Sequence, residues 1–468
     1  MIIIKTASSL HPQSLRDQME TIDLQSCINI AVMQNPKLIT ERLNRQDDWK
    51  LHRLQFREFF PELAVKFSKS DSVTYNAPDS RINSLGFSVN QKLFNSGNDI
   101  ADYRSAGREL KLRDLSSADL RDNIIYQVSH QYIEILKYRE ILNVQRQSLD
   151  NLDTQVRIAE MEYDLGGLTR SDLLDIKIRR SQYSLNLRDN NEQVLQKRYN
   201  LASLMDLSVS DLPPLAGTLD LDYVSQTALT EADSDRTVPL LTGMALDFSK
   251  ELQSSYLKER NARRDVFEAR FCWLPEIEAT ADVRFTGSRF PLSQPSFSMG
   301  LNFSFDAPLL PGRIEVQTGR SNPSEHNRSI RSETGVLENL DALVLPSIAR
   351  NRLENIHRET EELKRQISFR VQALIHSIQF NSHRCAHTRE NAALETDRLE
   401  IEGIRLETGE LTRLDYVKAE VRLANHKTEL IEAVAALYRD EMELAMICGT
   451  VPDSERDSQW RLIINQEE

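Results

Sequence analysis

The chain has 468 residues, 28% of them charged, and a formal net charge of −13, an acidity that argues against nucleic acid, whose phosphates need a basic stripe. Gly and Pro number only 15 each, and the four cysteines (Cys27, Cys272, Cys385, Cys448) stand apart with no C-x-x-C, so neither a zinc site nor a disulfide framework is indicated. No run of 18 or more apolar residues exists, so no helix is expected to cross a membrane.

Residues 1–21 read as an N-terminal segment. Ile2 to Ile4 is too short for the apolar stretch of a leader peptide, and 8–21 is polar, which taken at face value points to the cytosol. From about Ile22 to Phe60 a helix is expected, with Cys27, Ile28, Ala31 and Val32 on one face and a kink or break at Asn35-Pro36. The period then changes from 3.6 to 2. Leu63, Val65 and Phe67 alternate with Ala64, Lys66 and Ser68; after a polar loop over 70–83, Leu85, Phe87 and Val89 alternate with Gly86, Ser88 and Asn90. This is a strand hairpin, with strands at about 63–72 and 84–94. A helix without proline then runs to Gly166, about 100 Å at roughly 1.5 Å per residue. Val128, Tyr132, Ile135, Leu142, Leu149, Leu152, Val156, Ala159 and Tyr163 give it a heptad pattern, which a plain coiled coil would also show.

At Gly166-Gly167-Leu168-Thr169-Arg170-Ser171-Asp172 the helix is expected to stop and restart: Gly takes a positive φ readily, and Thr followed by Asp caps a new helix. A returning helix to Asp206 completes a first unit, 22–206. Residues 207–239, with Pro213-Pro214, read as an irregular linker. A second unit, 240–449, repeats the plan. A helix leads to Leu274-Pro275-Glu276-Ile277, strands follow at about 276–286 and 296–306, and a second tip stands at Gly409-Glu410-Leu411-Thr412-Arg413-Leu414-Asp415. The tips lie 243 residues apart (Gly166 to Gly409) but the prolines 214 (Pro61 to Pro275), so the second unit holds a 29-residue insertion, placed at about 313–345. Residues 450–468 form a tail.

Strands of about ten residues, apolar on one face and polar on the other, suit a tilted membrane strand with lipid on one side and water on the other. A half-buried soluble sheet alternates in the same way. Four strands cannot close a barrel or leave an open edge in lipid, so a symmetric oligomer would have to supply the rest. Phe59, Phe60, Phe94, Phe271, Trp273 and Phe290 stand at strand ends, as an aromatic girdle does, though aromatics also pack well at such junctions.

The two G-x-L-T-R-x-D tips, the two F/L-P-E-L/I junctions, Leu93-Phe94-Asn95-Ser96-Gly97 and the doubled plan resemble the TolC-type outer membrane efflux proteins, over about Ile22 to Gly449. The resemblance implies an α+β membrane protein: a homotrimer in which four strands per protomer complete a 12-stranded barrel in outer membrane lipid, above a periplasmic α-helical barrel. It implies the exit duct of a tripartite efflux pump or type I secretion system, moving drugs, other small molecules or proteins out of the periplasm. A periplasmic adaptor would dock at the tips, and an inner membrane transporter would supply the energy. On this reading a leader lies upstream of residue 1.

For the tips, the resemblance implies adaptor contacts at Gly166, Leu168, Thr169, Arg170, Gly409, Leu411, Thr412 and Arg413. It implies a pore constriction around Asp415, with Asp172 and Asp175 on the first tip. The family often carries a second acid three residues after Asp415; here Lys418 stands there and could pair with it. Both Asp172 and Asp415 could instead simply stabilise a helix N-terminus. His376, His383 and His387 share a helical face beside Cys385, but no carboxylate spacing completes a metal site, and a solvated stripe is the expectation. No nucleophile elbow, P-loop or G-x-G-x-x-G is found, so no enzyme and no cofactor are expected. The competing reading is a soluble coiled-coil scaffold protein.

Overall fold

The computed structural model describes residues 21–449 apart from 76, 224–230, 272, 308, 323–324 and 337–339. The N-terminal segment (but for Thr21) and the tail therefore lie outside the described residues. The chain divides into two compact units. One gathers the described residues of Met1–Arg42, Ser117–Lys250 and Lys364–Glu468, the other Leu43–Ser116 and Glu251–Leu363.

The break expected at Asn35-Pro36 separates helix α1 (Leu24–Gln34) from α2 (Pro36–Gln55). Asp23 caps α1 by accepting from the Ser26 amide, and Asn35 fills the gap by donating to the Leu204 carbonyl at 2.8 Å. Helix α3 (Asn98–Asp164) is followed by α4 (Arg170–Leu204), and α7 (Asp341–Glu407) by α8 (Arg413–Ile447). The long members each have 67 residues and the short ones 35. Most helical stability in proteins comes from tertiary packing, so these depend on the stripes they bury. Val128 and Val371 are fully buried in the core of the compact unit that holds 117–250 and 364–449, as are Tyr132, Leu136, Ile378 and Ile431.

Residues 207–239 are expected to be irregular; 207–223 are, and several of their carbonyls are tied down. Ile22 pairs with Leu215 as a parallel bridge, the Tyr132 hydroxyl donates to the Ala216 carbonyl at 2.6 Å, and Arg139 donates to the carbonyls of Leu215 and Gly217. Arg198 and Arg389 donate to Leu212 and Leu221. The helix after this linker starts earlier than expected: α5 spans Glu231–Phe248, with Pro239 inside it, and α6 spans Lys250–Arg270.

In the compact unit of 43–116 and 251–363 the four expected strands are present as β1 (Glu62–Thr74), β2 (Ala77–Asn95), β3 (Glu276–Gly287) and β4 (Gln294–Phe305). Their tips differ from expectation. The polar loop over 70–83 is mostly strand, because the antiparallel ladder needs only backbone groups, and Asp71 meets its cross-strand partner Arg81 at 2.7 Å. The strand count also differs. The insertion at 313–345 is not irregular but forms β5 (Gly312–Asn322) and β6 (Glu325–Thr334), giving one six-stranded sheet in the order β1-β2-β3-β4-β5-β6. Its alternation escapes a hydropathy reading because β6 carries one large apolar residue, Ile330, among polar ones.

Candidate functional site

Two surfaces invite a function, one in each unit. The first is the sheet. Residues paired across the strands put Leu63 beside Val89, Val65 beside Phe87, Val283 beside Phe297 and Ala281 beside Met299, all on one face. That face is bare: Leu63 is 75% exposed, Val65 67% and Met299 66%. An exposed apolar face of this size on an ordered sheet marks a surface meant for lipid or protein. The opposite face carries Lys66, Ser68, Ser84, Ser88, Asp282 and Asn302. The aromatics expected at strand ends are mostly exposed too, with Phe60, Phe94, Trp273 and Phe290 open to the outside.

The second surface is the pair of hairpin tips, and both are built by one device. Gly166 and Gly409 have φ of 77° and 78°, a conformation that only glycine takes without cost. Each closes a Schellman cap: the Gly167 amide reaches the Glu162 carbonyl and the Gly166 amide that of Tyr163, just as Glu410 reaches Arg405 and Gly409 reaches Leu406. The next helix then begins on Thr169 or Thr412, whose hydroxyl accepts from the amide of Asp172 or Asp415 at 3.2 Å and donates to its carboxylate at 2.7 Å. Both aspartates thus stand in the first turn of a helix, hydrogen-bonded to its capping threonine.

The two tips then diverge. Arg170 is exposed at the first. Arg413 at the second turns back to α3, where its guanidinium donates to Glu162 at 2.6 and 2.8 Å and to Gln155 at 2.6 Å. Its side chain is only 13% exposed, so it locks the two hairpins together and offers little to a partner. Beneath it Leu173, Ile176 and Val417 pack with Leu152 and Ala159, with Leu168 and Leu414 against them. Leu411 is half-buried, and Thr169, Thr412, Gly166 and Gly409 are exposed.

Lys418 pairs with Asp415 at 2.8 Å. That hydrogen bond, followed by the one from Thr412, holds the Asp415 carboxyl below its ordinary value. Asp175 is exposed on the first tip. Sequence reasoning missed Glu162 and Gln155, although their seven-residue spacing puts both on one face of α3. It also missed Glu420, which is buried just past the second tip. Burial pushes its carboxyl up to about 7, and its Oε2 has no hydrogen-bond partner among the described residues. His376, His383 and His387 are all exposed, and no metal-holding group of side chains occurs among the described residues.

Residues 27–206 match the sequence model of the family described as outer membrane efflux protein. The structure is similar to the outer membrane protein VceC from Vibrio cholerae, with a TM-score of 0.72 at 15% identity, over 91% of this chain and 96% of that one. It is also similar to the CmeC outer membrane channel of Campylobacter jejuni, with a TM-score of 0.74 at 12% identity, over 98% and 92% of the two chains. The fold is that of the outer membrane efflux proteins. The open-state MtrE outer membrane channel of Neisseria gonorrhoeae is a further match, with a TM-score of 0.68 at 15% identity, over 92% and 90%. No curated protein matches by sequence. Within the efflux-protein fold, the stretch matched to the family runs from α1 through the first tip to the end of α4.

Proposed function

We propose that the chain is an outer membrane channel that works as the exit duct of a tripartite efflux pump or a type I secretion system. The bare apolar sheet face carries this reading. Lipid is the environment that makes Leu63, Val65 and Met299 stable where they stand, and the polar face then lines water. A sheet with open edges in lipid leaves backbone groups unpaired, so the channel is a homotrimer whose copies close the barrel. The helical hairpins stand in the periplasm and dock by their tips to a periplasmic adaptor coupled to an inner membrane transporter. Exposed Gly166, Thr169, Arg170, Gly409 and Thr412, with half-buried Leu168 and Leu411, are the residues left to make that contact.

The constriction lies at the second tip, where Arg413 holds the hairpins together and Asp415 and Lys418 face each other as a neutral pair. Opening separates the hairpins there rather than at the linker, whose carbonyls between 212 and 221 are bound by Arg139, Arg198 and Arg389. Membrane fractionation with detergent extraction tests the reading. A heat-sensitive trimer in the outer membrane fraction supports it; a soluble elongated dimer refutes it.

A further inference from the structure

We infer that the hairpin β5–β6 belongs to the barrel wall, so that three copies of six strands close an 18-stranded barrel whose seam joins β6 of one copy to β1 of the next. This rests on the proposal of a trimeric outer membrane barrel and changes how that barrel closes.

Three observations carry it. The first is that the edge of β4 is already occupied. From Phe297 opposite Arg320 to Phe305 opposite Gly312, β4 and β5 pair without a register shift, and β6 continues the ladder on β5. The free edges of the sheet are therefore β1 and β6, and neither can stay open in hydrocarbon. Strand direction alternates across the sheet, so β6 of one copy meets β1 of the next antiparallel, as a closed barrel requires.

The second is that β5 carries the two-faced pattern at Ile314 and Val316 and β6 continues it at Ile330. On the apolar face Leu301 stands beside Val316 and Val316 beside Ile330, and Ile330 is 71% exposed. On the other face Arg313 stands opposite Glu333 and Glu315 opposite Arg331, opposite charges that suit a water-filled interior. A hairpin lying in water outside the wall would have no use for this division. β5 and β6 have 11 and 10 residues, the length a tilted membrane strand needs.

The third is where the apolar band runs. Along the register it is centred at Val65 on β1, Ala281 on β3, Leu301 on β4 and between Ile314 and Val316 on β5. It thus drifts by about one residue per strand. With a rise of about 3.3 Å per residue and strands about 4.8 Å apart, that drift is a tilt of about 35°, within the range of membrane barrels. Arg320, His326 and Arg328 share the apolar face on the loop side of Val316 and Ile330. Barrels of this strand number leave an aqueous channel.

Cysteine cross-linking in the full-length protein, in outer membranes, separates the two seams. Leu63→Cys, Val65→Cys and Phe67→Cys are each combined with Ile330→Cys for the β6–β1 seam, and with Met299→Cys for a β4–β1 seam. Chains with only the native cysteines serve as the control. The inference expects oxidised, covalently linked trimers from at least one β1–Ile330 pair and none from the β1–Met299 pairs. Linked trimers from β1–Met299 would overturn it and leave the trimeric channel standing with 12 wall strands. A trimer that links through neither pair also overturns the β6–β1 seam. A chain that stays monomeric in every sample removes the trimeric reading itself. Cryo-electron microscopy of the purified trimer counts the wall strands without any substitution, and fewer than 18 contradicts the inference.

Discussion

The lock at the tips yields the sharpest prediction. Arg413→Ala removes a guanidinium that makes two charge-assisted hydrogen bonds to Glu162 and one to Gln155. Hydrogen bonds to charged groups contribute about 1.5–3 kcal/mol. Glu162 is 36% exposed and regains water when its partner goes, so the lower part of that range applies, about 2 kcal/mol for the whole contact. At about 1.4 kcal/mol per factor of ten, the first turn of α8 should open about 30 times more often. Native-state hydrogen exchange on the purified full-length protein reads this directly, in peptides covering 155–168 and 405–420. Glu162→Ala should give a similar change in the same peptides, and the double variant little more than either, a coupling of about 1–2 kcal/mol. Exposed Arg170→Ala should change exchange by less than about 0.5 kcal/mol. If the two substitutions prove additive to within about 0.3 kcal/mol, the lock does not exist in the assembled protein and the account of the gate fails.

Other consequences can be read off the same residues. The folded-state carboxyl of Glu420 titrates near 7 against an ordinary 4.5, so the folded protein binds that proton more tightly than the unfolded chain. Stability should therefore fall as pH rises from about 4.5 to 7, by at most about 3 kcal/mol. Glu420→Gln should accordingly raise the melting temperature at pH 8 and leave it unchanged near pH 4; an equal shift at both would show that charge burial is not the cause. Gly166→Ala and Gly409→Ala place a side chain at φ near 78° with open space around it, so each should cost about 1–2 kcal/mol in local exchange, from backbone strain alone. In a planar bilayer Lys418→Ala should raise cation selectivity by freeing Asp415, and Asp415→Asn should lower it by a comparable amount by freeing Lys418. Reversal potentials in a salt gradient measure both, and shifts of the same sign would contradict the pairing.

Much of the fold could be read because its signals are local. Gly166 and Gly409 had to be helix ends, and Thr169 and Thr412 helix starts, since each acts on backbone within five residues. The alternation of Leu63 to Phe67 and of Ile277 to Phe285 marked strands for the same reason. β5 and β6 stayed hidden because their pairing is a backbone property and their faces are nearly all polar: Arg313, Glu315 and Gln317 face Glu333, Arg331 and Ser329. The site was legible to about the same depth. Its capping threonines and aspartates were evident, but Arg413 looked like a docking residue. Its partner Glu162 lies 251 residues earlier, and no local pattern links them. Glu420 was equally invisible, since only the packing around α8 reveals that its Oε2 is buried without a partner among the described residues.

The proposed channel must form a pore through a lipid membrane. The direct measurement is current across a planar bilayer after adding the purified, detergent-solubilised full-length protein. The account predicts discrete conductance steps from fractions that run as a heat-sensitive trimer, and none after heating dissociates it. Trimer that inserts but never conducts, with the wild-type tip or with Arg413→Ala, would contradict it.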